Sequence, residues 1–507
     1  MRAMTSVFDP LRTAAAYVDA LAVTQGAAMA WRVRREQRLA ALLRHAGERS
    51  PLYRRLWGGR PAGARDAGRR LVDLPPVRKA DLMGRFDEWV TDPSLTLDGL
   101  RAFVADPARI GTPFLGRYVV WQSSGSSGEP ALFVQDAEAL AVSDALLCAR
   151  GPVASALPSW LLPHWSPLGP TLPRLAFVGA VDGHFASVVS LARLARVNPW
   201  LQGTLRTFSF LQPLEQLVAA LNGWRPSVLS TYPSMACVLA GERSAGRLHI
   251  APREVWTGGE TLTTGLRATL AARLGAAVRD SYGASECLEI ASECHCGSLH
   301  LNADWVILEP VDERLRPVPS GTVGANVLLT HLGNRVQPIV RYALGDRVRE
   351  RPEPCRCGSA LPVIEVQGRD DEMLCLSGRD GVPVQLAPLA LVSVLEDGAG
   401  VFDFELCGSG PTALRLTLFG ADAEASRVNA ARRVLHEWLR TQGLGAAALE
   451  CRALPLESGR GRSGKRLRVR SREDARVPGP GCAPRDPAAA AGATPTRARR
   501  RAAADTR

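Results

Sequence analysis

Ser123-Ser-Gly-Ser-Ser-Gly-Glu-Pro130 follows the short apolar run Tyr118-Val-Val-Trp121 and precedes a helix-like stretch from Ala137 to Arg150. Small hydroxyl residues between glycines let backbone N–H groups turn toward an anion while each hydroxyl adds a donor, which suits a polyphosphate. Glycine also permits positive φ values that bulkier residues resist. No Gly-Lys-Ser/Thr closes the stretch, so it is not a Walker A loop. Taken alone, a Ser/Gly run of this kind reads equally as a flexible linker. The motifs downstream decide between the two.

Further along the chain, strand-like runs such as Val228-Leu-Ser-Thr231, Glu254-Val-Trp-Thr257 and Val278-Arg-Asp-Ser281 interleave with amphipathic stretches such as Leu214 to Leu221 and Leu266 to Leu274. That alternation predicts an α/β body with mixed, largely parallel sheets. Upstream, residues 11–45 read as helical, the pattern breaking at Pro51. After Gly368-Arg-Asp-Asp371 the texture becomes that of a smaller α+β unit: Phe402–Leu406 and Leu414–Leu418 alternate as strands and 424–441 reads as a helix. The expected organisation is a large domain over 1–370, a small one over 371–475, and a disordered basic tail over 476–507.

The net charge of +12 invites a nucleic-acid reading until it is located. Residues 460–507 hold 14 Lys/Arg against 4 Asp/Glu, so the remainder carries only +2. Neither a nucleic-acid partner nor a membrane is therefore expected, for no signal-peptide pattern or bilayer-length apolar run is present. The eleven cysteines are odd in number and scattered, which argues against a disulfide framework and for a cytoplasmic setting.

Six motifs follow in order: the Ser/Gly stretch, Thr257-Gly-Gly-Glu260, Ser281-Tyr-Gly-Ala-Ser-Glu286, Arg341-Tyr-Ala-Leu-Gly-Asp346, Gly368-Arg-Asp-Asp371 and Gly464-Lys465. Supporting phrases are Glu48-Arg-Ser-Pro-Leu-Tyr53, Leu74-Pro-Pro-Val-Arg-Lys79, Thr231-Tyr-Pro-Ser234 and Leu299-His-Leu-Asn-Ala-Asp-Trp305. In this order they resemble the adenylate-forming superfamily, and more narrowly its phenylacetate-CoA ligase branch with the capsule-biosynthesis relatives. The resemblance covers about residues 35–472.

That resemblance implies a fold and a reaction. A large adenylate-forming domain carries a small C-terminal domain on a hinge at Asp371, and a carboxylate attacks the α-phosphorus of ATP to give acyl-AMP and pyrophosphate. Ser123, Ser124, Gly125, Ser126, Ser127 and Gly128 would hold phosphates; Gly258, Gly259, Glu260, Tyr282 and Gly283 would border the base; Asp346 and Arg369 would take the ribose side. Glu286 would bind Mg²⁺, and Lys465 would bridge the attacking carboxylate and ATP. Transfer to coenzyme A would follow when the small domain rotates. An amine or a carrier-protein thiol is the alternative acceptor, and a non-catalytic zinc protein binding nucleic acid through its tail is a remote one. Two departures stand out: Glu129 occupies a position where the family often has lysine, and Leu344 one where threonine is usual.

Residues 177–185, Tyr232 and Trp256 are positioned to receive the acid, for which the branch suggests an aromatic compound. Cys294, His295, Cys296, His300, Cys355 and Cys357 form two clusters of metal-ligating residues suited to a tetrahedral structural Zn²⁺. By the pattern of some relatives the ligands would be Cys294, His300, Cys355 and Cys357, with Cys296 as an alternative to His300.

Overall fold

The computed structural model describes residues 7–58, 71–123, 130–152, 173–367, 374–378, 381–401, 404–454 and 468–470. Its central element is a nine-stranded sheet whose two halves differ in direction. Leu205–Ser209, Leu175–Gly179, Val228–Thr231, Glu254–Gly258 and Ala277–Ala284 lie side by side and parallel. Cys287–Glu293, Leu299–Leu301, Val363–Gln367 and Arg347–Arg351 continue the sheet in antiparallel pairs. The helices Leu214–Trp224, Pro233–Ser244 and Thr264–Leu274 connect the parallel strands. Their apolar faces, including Leu217, Leu239 and Leu270, close one core against Val178, Leu229 and Val255. The expected α/β class with a mixed sheet is what forms.

A second core joins the N-terminal helices to a three-stranded antiparallel sheet of Val306–Val311, Asn326–His331 and Ile339–Ala343. Here residues 11–45 are helical, as read, but in two pieces. Two helices form, Pro10–Thr24 and Ala28–Arg49, separated by a turn at Gln25 and Gly26. The second helix ends just before Pro51, as read, and Pro51 starts a third helix, Pro51–Leu56, with Ser50 accepting from the Tyr53 N–H as its cap. The Ser/Gly stretch also departs from a plain strand-to-helix link. A second strand, Leu132–Gln135, pairs antiparallel with Val119–Gln122 before the helix Ala137–Ala149 begins.

Beyond residue 373 a separate core gathers on a four-stranded sheet ordered Ala448–Leu454, Ala413–Phe419, Phe404–Gly410, Val469–Arg470. The helices Pro388–Ala399 and Ala425–Thr441 pack on it through Leu391, Leu395, Leu435 and Leu439. Trp438 ties this unit to the large one by donating its indole N–H to the Leu211 carbonyl at 3.1 Å. Among the described residues, no helix is long and apolar enough to cross a membrane.

Candidate active site

The carboxyl ends of the parallel strands open on a cleft of about 2290 Å³. Ligands of open α/β sheets bind at such strand ends because the connecting loops there are free to diverge. Ser123, Gly258, Gly259, Glu260, Tyr282, Gly283, Glu286 and Asp346 all line it. The described parts of four of the six sequence motifs meet in this one volume.

Adjacent strands explain the convergence. Gly258 pairs with Ser281 in the sheet, which sets Gly258-Gly259 beside Tyr282. Gly259 has φ +78° and a Cβ there would lie 3.2 Å from the Tyr232 ring, so the turn needs glycine. At Gly283 a Cβ would fall 2.0 Å from the Leu288 carbonyl oxygen, a contact no side chain tolerates. The Tyr282 hydroxyl donates to Asp346 Oδ2 at 2.9 Å across 64 residues of sequence. Burial, reinforced by the Asp346 charge, pushes that phenol well above its ordinary range.

Glu286 is only 8% exposed, and burial raises its carboxyl above the usual range. A hydrogen bond from the Tyr342 hydroxyl works against the rise, the Asp346 charge adds to it, and the Lys79 ammonium lowers it. Two carboxylates thus share one patch, with the lysine charge in their field. A divalent cation with phosphate oxygens is the partner that chemistry suits, so Glu286 and its surroundings fit Mg²⁺.

Glu260 serves a different partner. Its two oxygens accept from the Ser234 N–H at 2.9 Å and the Ser234 hydroxyl at 2.8 Å, capping the helix Pro233–Ser244. Ser123 is bonded to Ala131: its N–H donates to the Ala131 carbonyl at 2.8 Å and its hydroxyl accepts from the Ala131 N–H at 2.9 Å. Ser124, Gly125, Ser126, Ser127, Gly128, Arg369, Asp371 and Lys465 lie outside the described residues.

Sequence reasoning gave no role to three residues that the cleft exposes. Lys79 opens the short helix Lys79–Met83 and lines the cleft. It is brought there because the preceding segment is bound to the Ile339–Ala343 strand: the Val77 N–H donates to the Arg341 carbonyl at 3.0 Å, and the Ala343 N–H to the Val77 carbonyl at 2.9 Å. Arg341 itself sits at φ +51°, and its guanidinium bonds the carbonyls of Val72 and Leu74 and the Glu309 carboxylate. Asp280, one residue before Ser281, accepts from the Thr257 hydroxyl at 2.6 Å. Burial pushes its carboxyl up to about 7, the Thr257 bond opposing and the Glu293 charge adding. Arg468 also lines the cleft, while its guanidinium pairs with Glu396. The only sequence signal for Lys79 was its motif phrase; Asp280 had none. Of the residues expected to receive the acid, Phe177, Ala180, Phe185, Tyr232 and Trp256 line the cleft. His184 is 1% exposed and its Nε2 meets the Asp106 carbonyl at 3.1 Å, a packed position.

In the antiparallel half of the sheet the ligand atoms of Cys294, His300, Cys355 and Cys357 all lie within 4.8 Å of one another. The Cys294 and Cys355 sulfurs are 3.8 Å apart, and Cys357 Sγ is 3.2 Å from His300 Nε2. His300 Nδ1 donates to the Leu361 carbonyl at 3.0 Å, which fixes the tautomer and leaves the Nε2 lone pair for the cluster. Cys296 is exposed, beside these four rather than among them. Three sulfurs and one imidazole at this separation fit a closed tetrahedral Zn²⁺ site.

No family model matches the chain. A phenylacetate-coenzyme A ligase of Thermus thermophilus is 28% identical over 378 residues, covering 71% of this chain and 75% of that protein. A phenylacetate-coenzyme A ligase of Aromatoleum evansii is 28% identical over 205 residues, covering 36% of this chain and 45% of the relative. Among solved structures, 2-hydroxyisobutyryl-CoA ligase in complex with 2-HIB-AMP and CoA in the thioesterification state superposes with a TM-score of 0.54. That match has 21% sequence identity and covers 89% of this chain and 91% of the other. The resemblance to phenylacetate-CoA ligases thus holds with both relatives, and the solved structure shares its fold over most of this chain.

Proposed function

We propose that this chain activates a carboxylic acid, an aromatic one by its relatives, with ATP and passes the acyl group to coenzyme A. The acid's carboxylate oxygen attacks the α-phosphorus, the bond to the pyrophosphate oxygen breaks, and acyl-AMP and pyrophosphate result. The thiolate of coenzyme A then attacks the acyl carbon, and AMP leaves with its electron pair. The observation that carries this reading is the meeting of Tyr282, Asp346 and Glu286 in one cleft, from motifs ordered as in ligases of this kind.

The residues divide the work. Asp346 offers carboxylate oxygens to a ribose diol, and the Tyr282 ring beside it borders the base. The glycines at 258, 259 and 283 let backbone approach the nucleotide where a side chain would collide. Glu286 would hold Mg²⁺, which when bound would neutralise phosphate charge. Lys79 adds a fixed positive charge on the same side, and two anions meeting in a cleft are helped most by such preorganised charge. Lys465, on the small domain, is the bridging cation for the first half-reaction, and a rotation about Asp371 exchanges it for the thiol-transfer arrangement. Cys294, His300, Cys355 and Cys357 hold Zn²⁺ as a structural clip.

Acid-dependent exchange of labelled pyrophosphate into ATP tests the first step, and mass analysis of products with and without coenzyme A tests the second. Exchange with no acid of a broad aromatic and aliphatic panel would refute adenylation. An acyl product formed only with amines would move the acceptor away from coenzyme A.

A further inference from the structure

One stretch of the cleft wall is polar in a way that nucleotide binding does not use. Glu289 lies three residues beyond Glu286 on the strand Cys287–Glu293, and Asp144 lies on the helix Ala137–Ala149; both line the cleft. Glu289 accepts a hydrogen bond from the Ser143 hydroxyl. Asp144 is paired with Arg193, which reaches in from the helix Ala186–Val197. Two carboxyl groups therefore face one guanidinium.

The arrangement has spare capacity. Asp144 is 8% exposed and its Oδ2 has no hydrogen-bond partner, while Arg193, 2% exposed, leaves Nε and Nη1 without one. A buried carboxylate oxygen without a donor is costly, and a donor from a ligand would offset that cost. Phe177 and Trp256 line the same cleft and supply flat apolar area. The substrate's own carboxylate is drawn to the Lys79 ammonium beside Glu286, so its remote end is the one that meets this wall.

Building on the adenylation reading, we propose that Glu289 and Asp144 form the specificity-determining acceptors for a hydroxyl or amino group carried by the acid at the end remote from its carboxylate. The Glu289 carboxyl is pushed up to about 8, chiefly by burial, with the Ser143 bond opposing, the Asp144 charge adding and Arg193 opposing. One oxygen accepts in either protonation state, so a neutral hydroxyl and an amine are both served.

The test is pyrophosphate exchange by the full chain with phenylacetate and its 3- and 4-hydroxy and 3- and 4-amino derivatives. At least one donor-bearing acid should exceed phenylacetate in kcat/KM by about tenfold or more, since a site built to hydrogen-bond a substrate group rejects the analogue lacking it. Glu289→Leu should cut that ratio by about tenfold, and Glu289→Gln, which keeps an accepting oxygen and the side-chain volume, should retain most of it. Melting curves of both variants check folding, and if the leucine variant does not fold, the wild-type ratio and the glutamine variant still decide. Phenylacetate used as well as every derivative, or a ratio unchanged in Glu289→Leu, would overturn the proposal while leaving adenylation intact. Loss of exchange with every acid would instead strike the adenylation reading beneath it.

Discussion

The two halves of the central sheet gather polar side chains in opposite ways. Tyr282 and Asp280 of the parallel half, with Glu286 in the turn that follows and Asp346 just ahead of the strand Arg347–Arg351, stand around an open cleft, and burial raises the carboxyls of Asp280 and Glu286. In the antiparallel half, Cys294, His300, Cys355 and Cys357 turn inward on one point, with His300 held by the Leu361 carbonyl. An open set of charges has capacity left for a substrate; a closed set of four ligands has none. Polar residues on one sheet thus divide into chemistry and construction by whether a free direction remains.

Asp346→Ala puts that contrast to its hardest test. Pyrophosphate exchange should fall by about a thousandfold, the scale of losing a preorganised polar contact to the reacting nucleotide, while the melting temperature moves little. Exchange retained within tenfold would detach the cleft from the chemistry.

Lys79→Ala comes next, with an expected loss in kcat of about a hundredfold and partial recovery in Lys79→Arg. Equal loss in both variants with a lowered melting temperature would mark Lys79 as packing rather than charge.

The closed half should respond in the other coordinate. Cys355→Ser, or prolonged chelation, should lower the melting temperature by about 5–10 °C and change exchange at 25 °C by less than about threefold. A collapse of activity at unchanged melting temperature would reverse the assignment of the two halves.

A subtler change concerns pH. The Asp280 carboxyl, raised to about 7 in the fold by burial, binds a proton more tightly there than in the unfolded chain. Stability from this group is therefore greatest below the ordinary carboxylate range and declines as pH climbs from about 4 to about 7. Asp280→Asn should flatten that decline by on the order of 1–2 kcal/mol between pH 5 and pH 8, read as urea midpoints. An unchanged slope would place the Asp280 charge in contact with solvent.

Legibility followed locality. Val228–Thr231, Glu254–Gly258 and Leu214–Trp224 could be read because a short run of residues contains the whole period, and their carboxyl-end motifs came with them. The strand Leu132–Gln135 was not read, and the break at Gly26 escaped because helical spacing resumes directly after it. Lys79, Asp280 and Glu289 were unreadable for a deeper reason. A lysine near residue 80 gains meaning only through the Val77–Arg341 pairing, and a lone acid on a strand only through what buries it. The Cys and His cluster was legible as a set, since these residue types are rare; its closure depends on the pairing of Val363 with His300.

Arg341 also bears on how the molecule is made. Its guanidinium and backbone hold the segment that delivers Lys79, yet 267 residues separate it from Leu74. During synthesis the leading portion therefore leaves the ribosome long before its anchor exists, and its final docking waits for the middle of the chain. The left-handed arginine acts as a late clasp, so the part of the cleft wall that carries Lys79 takes its place only after Arg341 has been made.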